Sequence, residues 1–250
     1  MKKLSTSKQM AINMVAAIVS FLIGTGINFV LAPYLVKELG SETYGFIGLA
    51  NNFVQYATIV TSALNSMSGR FISIEYSKGN IDKASRYFSS VLVADLIIAG
   101  VLLLVSSIIT FNIEFILNVP ENLVDSVKIL FALTFATFII SVITAIFTTA
   151  AFVKNKLYIN SLRDIASNTL KLLLVVILFS FFPAKVYFIA MASLASGIFL
   201  LLTNIKVKKK ILPEVKMDFN LFSSYIFLSS SVRFALEFST GASTFSVSSW

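Results

Sequence analysis

The chain alternates long apolar runs with short polar gaps. A helix needs roughly 20 largely apolar residues to cross the hydrocarbon of a bilayer. On that measure complete spans fall at about 10–36, 43–66, 87–111, 126–151, 164–182 and 186–205, and a further one begins near Leu221. The pattern predicts an all-α integral membrane protein: a six-helix transmembrane bundle plus the start of a seventh helix. The first run is too long for the apolar core of a secretory signal, and no small-x-small cleavage site follows it, so it reads as a span. Three regions follow: residues 1–205 as an N-terminal six-helix unit, 206–220 as a basic cytoplasmic linker, and 221–250 as the incomplete beginning of a second unit. An ordinary inside loop that binds anionic headgroups is the other reading of 206–220, which contains Pro213.

The gaps carry their own signals. Residues 37–42 form a short turn in which Gly40 suits a helix C-cap and Ser41 the N-cap of the next helix. Residues 67–86 are polar enough to make a loop on the membrane surface, and 112–121 is a loop broken by Pro120. Basic residues then fix the direction of threading. With the N-terminus in the cytoplasm, inside segments hold Lys2, Lys3 and Lys8, then Arg70, Lys78, Lys83 and Arg86, then Lys154, Lys156 and Arg163, and finally Lys206, Lys208, Lys209, Lys210 and Lys216. The opposite side holds Lys37, Lys128 and Lys185. Such an excess marks the cytoplasmic side.

Composition agrees with lipid as the solvent. Of 250 residues, 57% are hydrophobic and 13% charged, against about 25% charged in a soluble domain. Cys and His are both absent, which removes disulfides, thiolate or imidazole metal sites, Cys nucleophiles and His-based acid–base chemistry. The expectation is a protein without metal or cofactor and not an enzyme. The formal charge of +8 does not point to nucleic acid, because the basic residues sit between spans rather than in a patch interleaved with stacking aromatics.

Some spans are not uniformly apolar. On the second, Asn51, Gln55, Thr58, Ser62 and Asn65 recur at helical spacing and share a face about 80° wide. Thr134, Thr137, Ser141, Thr144 and Thr148 do the same on the fourth, and Asn13, Ser20, Gly24 and Asn28 form a weaker row on the first. Small and hydroxylated residues at this spacing also make ordinary helix-packing surfaces in membranes, so the Thr/Ser row has two readings. The amide row is more demanding, since an unpaired amide in hydrocarbon costs several kcal/mol; a wet cavity or an interhelical network would satisfy it. Ionisable groups add to the picture. Asp95 lies in the third span. Lys171 lies two turns into the fifth, on the face of Asp164 and Asn168. Arg233 and Glu237 stand four apart in the seventh, within reach of one another. Intramembrane charges are costly and usually face the bundle interior, although the Lys171 stem is long enough to snorkel to the interface.

Pro33 to Gly45, PYLVKELGSETYG, resembles the first external turn of the polysaccharide-biosynthesis (Wzx-like) exporters, which share a superfamily with lipid II flippases and multidrug and toxin exporters. Their Leu-Gly-x-x-x-Tyr-Gly signature reads here as Leu39, Gly40, Ser41, Glu42, Thr43, Tyr44 and Gly45. The segment SGRFISIEYSKGNIDKASRYF is similar to theirs too, with Arg70 closing the second helix and a basic loop leading to the third. The resemblance implies one lobe of a two-lobe transporter with a central cavity, so the chain reads as a shortened member.

The function implied is flipping or export of a polyprenyl-pyrophosphate-linked oligosaccharide, an O-antigen, capsule or similar surface-glycan precursor, by alternating access across a bacterial plasma (inner) membrane. Its partners would be the lipid-linked oligosaccharide, the bilayer and other glycan-assembly membrane proteins. Asn28, Asn51, Gln55, Thr58, Ser62 and Asn65 would line the cavity with uncharged hydrogen-bonding groups, and Lys171 and Arg233 would attract the pyrophosphate. Two alternatives stand beside this reading: a cation-coupled drug exporter, which would place a carboxylate among its cavity helices, and a non-transporting membrane subunit whose polar rows only pack.

Overall fold

A computed structural model describes residues 6–217, and within them the side chains of all but 59, 60 and 62–68. The described residues are helical, joined by short turns. Six long helices run α1 Thr6–Leu39, α2 Ser41–Ser77, α3 Ile81–Phe111, α4 Val124–Val153, α5 Tyr158–Phe181 and α6 Tyr187–Ile211. A one-turn helix, Ile113–Ile116, and a 3₁₀ turn, Glu121–Leu123, fill the connection around Pro120. Five of the long helices, all but α2, are long and apolar enough to cross a membrane. The second, interrupted by its polar row, is 37 residues long, or about 55 Å. This is a multi-pass α-helical membrane protein. Its outer faces carry uncovered apolar side chains, among them Phe21, Phe29, Leu104 and Phe111, as a lipid-facing surface requires.

Helix ends differ from the sequence reading. Residues 67–86 do not form a loop: α2 passes Arg70 without a break and ends at Ser77, and α3 starts at Ile81. Polar residues past the hydrocarbon lose nothing by staying helical, so the helix stops only where Gly79 adopts a φ of 80°, a conformation that suits glycine. At the other tight turn Gly40 has a φ of 81°. Its amide closes α1 by donating to the Val36 carbonyl, and its own carbonyl accepts from Tyr44. Gly40 therefore ends one helix and caps the next, and Ser41 is the first residue of α2 rather than its N-cap.

The basic stretch after residue 205 is not an extended linker at its start. The sixth helix continues through Lys206–Lys210 to Ile211. The chain then folds back, and Leu212 and Val215 are fully buried with Ile72, Phe88, Phe147 and Ala150. Lys208 is buried as well. Its ammonium donates to the Val215 carbonyl at 2.5 Å and lies 4.7 Å from the centre of the Phe88 ring, so it is not available to lipid headgroups. The Lys216 amide donates to Ser85 Oγ at 3.0 Å. Residues from Leu221 onward, with Arg233 and Glu237, lie outside the described residues.

Packing makes a ring. The first helix packs on α5, α5 on α6, α6 on α4, α4 on α2, and α2 lightly on α1; α3 lies outside against α2 and α4. Apolar clusters tie all five ring helices together at the Gly40 end. One joins Phe46 and Ala50 to Phe131, Phe135, Val186 and Ala190. The other joins Leu31 and Leu35 to Val175, Phe179 and Phe188. At the opposite end the apolar cluster holds α2, α3, α4 and α6 and leaves α1 and α5 out. There α1 is held by Asn13, whose Nδ2 donates to Asn155 Oδ1 at 2.9 Å and to the Asn155 carbonyl at 3.1 Å.

Candidate functional site

The ring encloses a cavity of about 840 Å³ lined by α1, α2, α4, α5 and α6. Its lining runs from Leu35 and Tyr44 near the Gly40 end to Thr148 and Asn204 near the other. Helical periodicity explains why polar groups collect there. The Thr134–Thr148 row on α4 lines the cavity throughout, and Asn51 and Thr58 face it from α2. From α5 come Asp164, Asn168 and Lys171, three residues of one helix face. The apolar faces of the same helices form the clusters described above.

Of the residues singled out in the sequence, Asn28, Asn51, Thr58 and Lys171 line this cavity together. Gln55 is exposed but outside that lining. The side chains of Ser62 and Asn65, and all of Arg233, lie outside what is described. The α1 row divides. Ser20, Gly24 and Asn28 line a side compartment of about 470 Å³ between α1 and α5, which shares Asn28, Asp164 and Asn168 with the main cavity. Gly24 lets the two helices approach here, since a Cβ on it would come within 3.2 Å of Asn168 Nδ2. Asn13 faces neither compartment and serves as the fastener described above. Asp95 is buried within α3, away from the lining.

Two contributions went unnoticed in the sequence. Ser193, Ser196, Gly197 and Asn204 bring α6 to the cavity, and their offsets of three, four and eleven from Ser193 place them on one helix face. Arg163, counted only as a topology charge, is a buried tie. Its guanidinium donates to Asn160 Oδ1, to Asn204 Oδ1 and, at 3.1 Å, to the Ile159 carbonyl. Asn160 in turn donates to the Thr148 carbonyl at 3.3 Å. One arginine thus joins α5 to α6 directly and to α4 through Asn160, at the end where α4 and α5 barely touch. Nothing in the local sequence marks a partner 41 residues away.

Beyond the spans, Lys154 bonds to Tyr76 and lies 3.5 Å from Glu214. Burial opposes the Lys154 charge, but Tyr76 and Glu214 outweigh it and raise its pKa above the ordinary lysine value. A backbone hydrogen bond and Lys154 hold the Glu214 carboxyl below its usual value.

Comparison with known proteins gives a family and one relative. Residues 10–247 match the sequence model of a family described as "Polysaccharide biosynthesis protein". The uncharacterized membrane protein EpsK of Bacillus subtilis (strain 168) is 32% identical over 202 residues, covering 81% of this chain and 40% of EpsK. The chain therefore spans well under half of that relative's length. No solved structure matches.

Proposed function

Because this chain belongs to the polysaccharide biosynthesis protein family, we propose that it forms one wall of a transporter that moves a polyprenyl-pyrophosphate-linked oligosaccharide across a bacterial plasma membrane. The observation that carries this is the cavity itself: polar faces of five helices meet around about 840 Å³ in a protein whose outer faces are apolar. A glycan cannot cross hydrocarbon bare, because each unpaired polar group costs several kcal/mol. Asn28, Asn51 and Thr58 would exchange hydrogen bonds with it. Lys171 would attract the pyrophosphate as a point charge, and Arg233 would add a second cation. The lipid tail would stay in the bilayer.

In this reading the N-terminus is cytoplasmic. The turns at Lys78, Lys154 and Lys216 sit together at one end of the bundle, linked by contacts of Lys154 with Tyr76 and Glu214 and of Lys216 with Ser85. Apolar packing at the Gly40 end supports a cavity that would receive substrate from the cytoplasmic side. Rocking against a second lobe would expose the cavity to the other side.

Asp164 gives one rival substance, since it places a carboxylate in the cavity, as a cation-coupled drug exporter requires. The two part in a surface-glycan assay on cells that depend on this protein for export. At normal membrane abundance Lys171→Ala should lower exported glycan about tenfold or more, the scale of losing a charged hydrogen bond, and Asn51→Leu about fivefold, the scale of a neutral one. Normal glycan export by both variants would remove the cavity assignment. Loss of drug resistance with intact glycan would favour the exporter.

A further inference from the structure

A hydroxyl has one hydrogen to donate and two lone pairs to accept with. Along α4, past Thr134, those hydrogens are already committed to the helix. Thr137 donates to the Leu133 carbonyl at 2.8 Å, and Ser141, Thr144 and Thr148 donate to the carbonyls of Phe138, Ile140 and Ala145, each at 2.7 Å. Elsewhere in the lining, Thr58 donates to Val54 at 2.8 Å and Ser196 to Ser193 at 2.9 Å. These six side chains present lone pairs to the cavity. Asn204 is committed on both sides, donating to the Leu200 carbonyl and accepting from Arg163. Asp164 adds a carboxyl group to the lining.

Donors are grouped elsewhere. Among the described lining residues, Asn28, Asn51, Asn168 and Lys171 make no hydrogen bond within the protein that would occupy their N–H groups, and Lys171 is the cation of the group. Asn28 and Asn51 lie nearer the Gly40 turn along their helices. Thr144 and Thr148 are in the last three turns of α4, and Asp164 is in the second turn of α5. Thr144, Thr148 and Asp164 thus lie toward the Lys154 end, while Thr137 and Ser196 sit at mid-depth, level with Asn168.

We propose that the acceptor wall on α4 recognises uncharged sugar hydroxyls and rejects carboxylate-bearing sugars, which makes a neutral glycan the substrate class of this lobe. The inference rests on the function proposed above and narrows it. A sugar O–H can turn its hydrogen toward each lone pair on the wall. A carboxylate only accepts, so against α4 it would meet oxygen with oxygen and keep its own charge unpaired. The pyrophosphate has its cation in Lys171; a second anion on the glycan has none on this wall.

The test compares two probes on the full chain in lipid nanodiscs: a polyprenyl-pyrophosphoryl trihexoside, and the same molecule with its terminal hydroxymethyl oxidised to a carboxylate. The neutral probe should bind at least about tenfold more tightly, as expected where a site is built to pair with a ligand hydroxyl. A Thr137→Val, Thr144→Val, Thr148→Val variant should lose that preference by losing affinity for the neutral probe. The corresponding Ser variant, which keeps the hydroxyls, should retain it. Equal binding of both probes to the wild-type chain, or a preference that survives in the Val variant, overturns the neutral-glycan inference and leaves the proposed function standing. Binding of neither probe overturns both. The wild-type comparison decides the first point without requiring any variant to fold.

Discussion

Asn13 and Asn28 stand on the same helix, and their sequence spacing gives no reason to treat them differently. The structure sets them to different tasks. Asn28 faces the cavity with its amide uncommitted. Asn13 is 7% exposed, donates to the side chain and carbonyl of Asn155, and accepts from the Tyr158 amide at 3.1 Å. Asn155 itself has a φ of 51°, a left-handed turn that asparagine tolerates better than most residues. Asn13→Ala would leave the Tyr158 amide and the Asn155 side chain without these partners. The expected cost is about 1–3 kcal/mol, measurable as a fall in unfolding free energy in detergent, whereas Asn28→Ala should leave stability nearly unchanged. Period alone made the α2 and α4 rows legible, because amides and hydroxyls repeating on one face of an apolar span need a partner. Period could not identify partners: Arg163 and Asn204 meet across 41 residues, and the sequence offered only an arginine in a gap and an asparagine in a span.

At the scale of the helix, hydrophobic runs located the spans well and their ends poorly. The runs report where lipid begins, but a helix has no reason to stop there. The second helix continues to Ser77 and the sixth to Ile211, and each ends where backbone chemistry changes: Gly79 in one case, the approach to Pro213 in the other. Pattern also hid the return of the chain after Ile211. Leu212 and Val215 look like isolated apolar residues in a basic stretch, yet both are fully buried against α2, α3 and α4. The Lys208 ammonium over Phe88 closes the same corner. Leu212→Ala should therefore cost about 2–5 kcal/mol, as for a core leucine, in a thermal or denaturant unfolding assay. A solvated linker would show no loss. Lys154 and Glu214 brace the segment from outside, but that pair is partly exposed, and surface pairs contribute about 0–1 kcal/mol; Glu214→Gln should be a much milder change than Leu212→Ala.

For the whole molecule the decisive feature is asymmetry between the two ends. At the Gly40 end, aromatic side chains interlock, with Phe53 edge-on to Phe131 at 5.9 Å and Phe179 edge-on to Phe188 at 5.9 Å, and all five ring helices are joined. At the Lys154 end the apolar cluster leaves out α1 and α5, and polar ties hold those two instead: Asn13 for α1, Arg163 for α5. Such ties fix position while leaving water room to enter between α1 and α2, which pack only lightly on each other. The absence of Cys makes the consequence measurable, since each introduced thiol is the sole target of a labelling reagent. Asn51→Cys, Thr58→Cys and Ser141→Cys, exposed within the lining, should react with a membrane-impermeant maleimide supplied on the side of Lys154. Ala50→Cys and Val127→Cys, buried in the closing cluster and outside the lining, should stay inert to reagent from either side. Under the proposed transport cycle, adding lipid-linked substrate should slow labelling at 51 and 141. If the cavity positions were as inert as Ala50→Cys, the polar rows would be packing surfaces, and the chain a scaffold rather than the wall of a transport path.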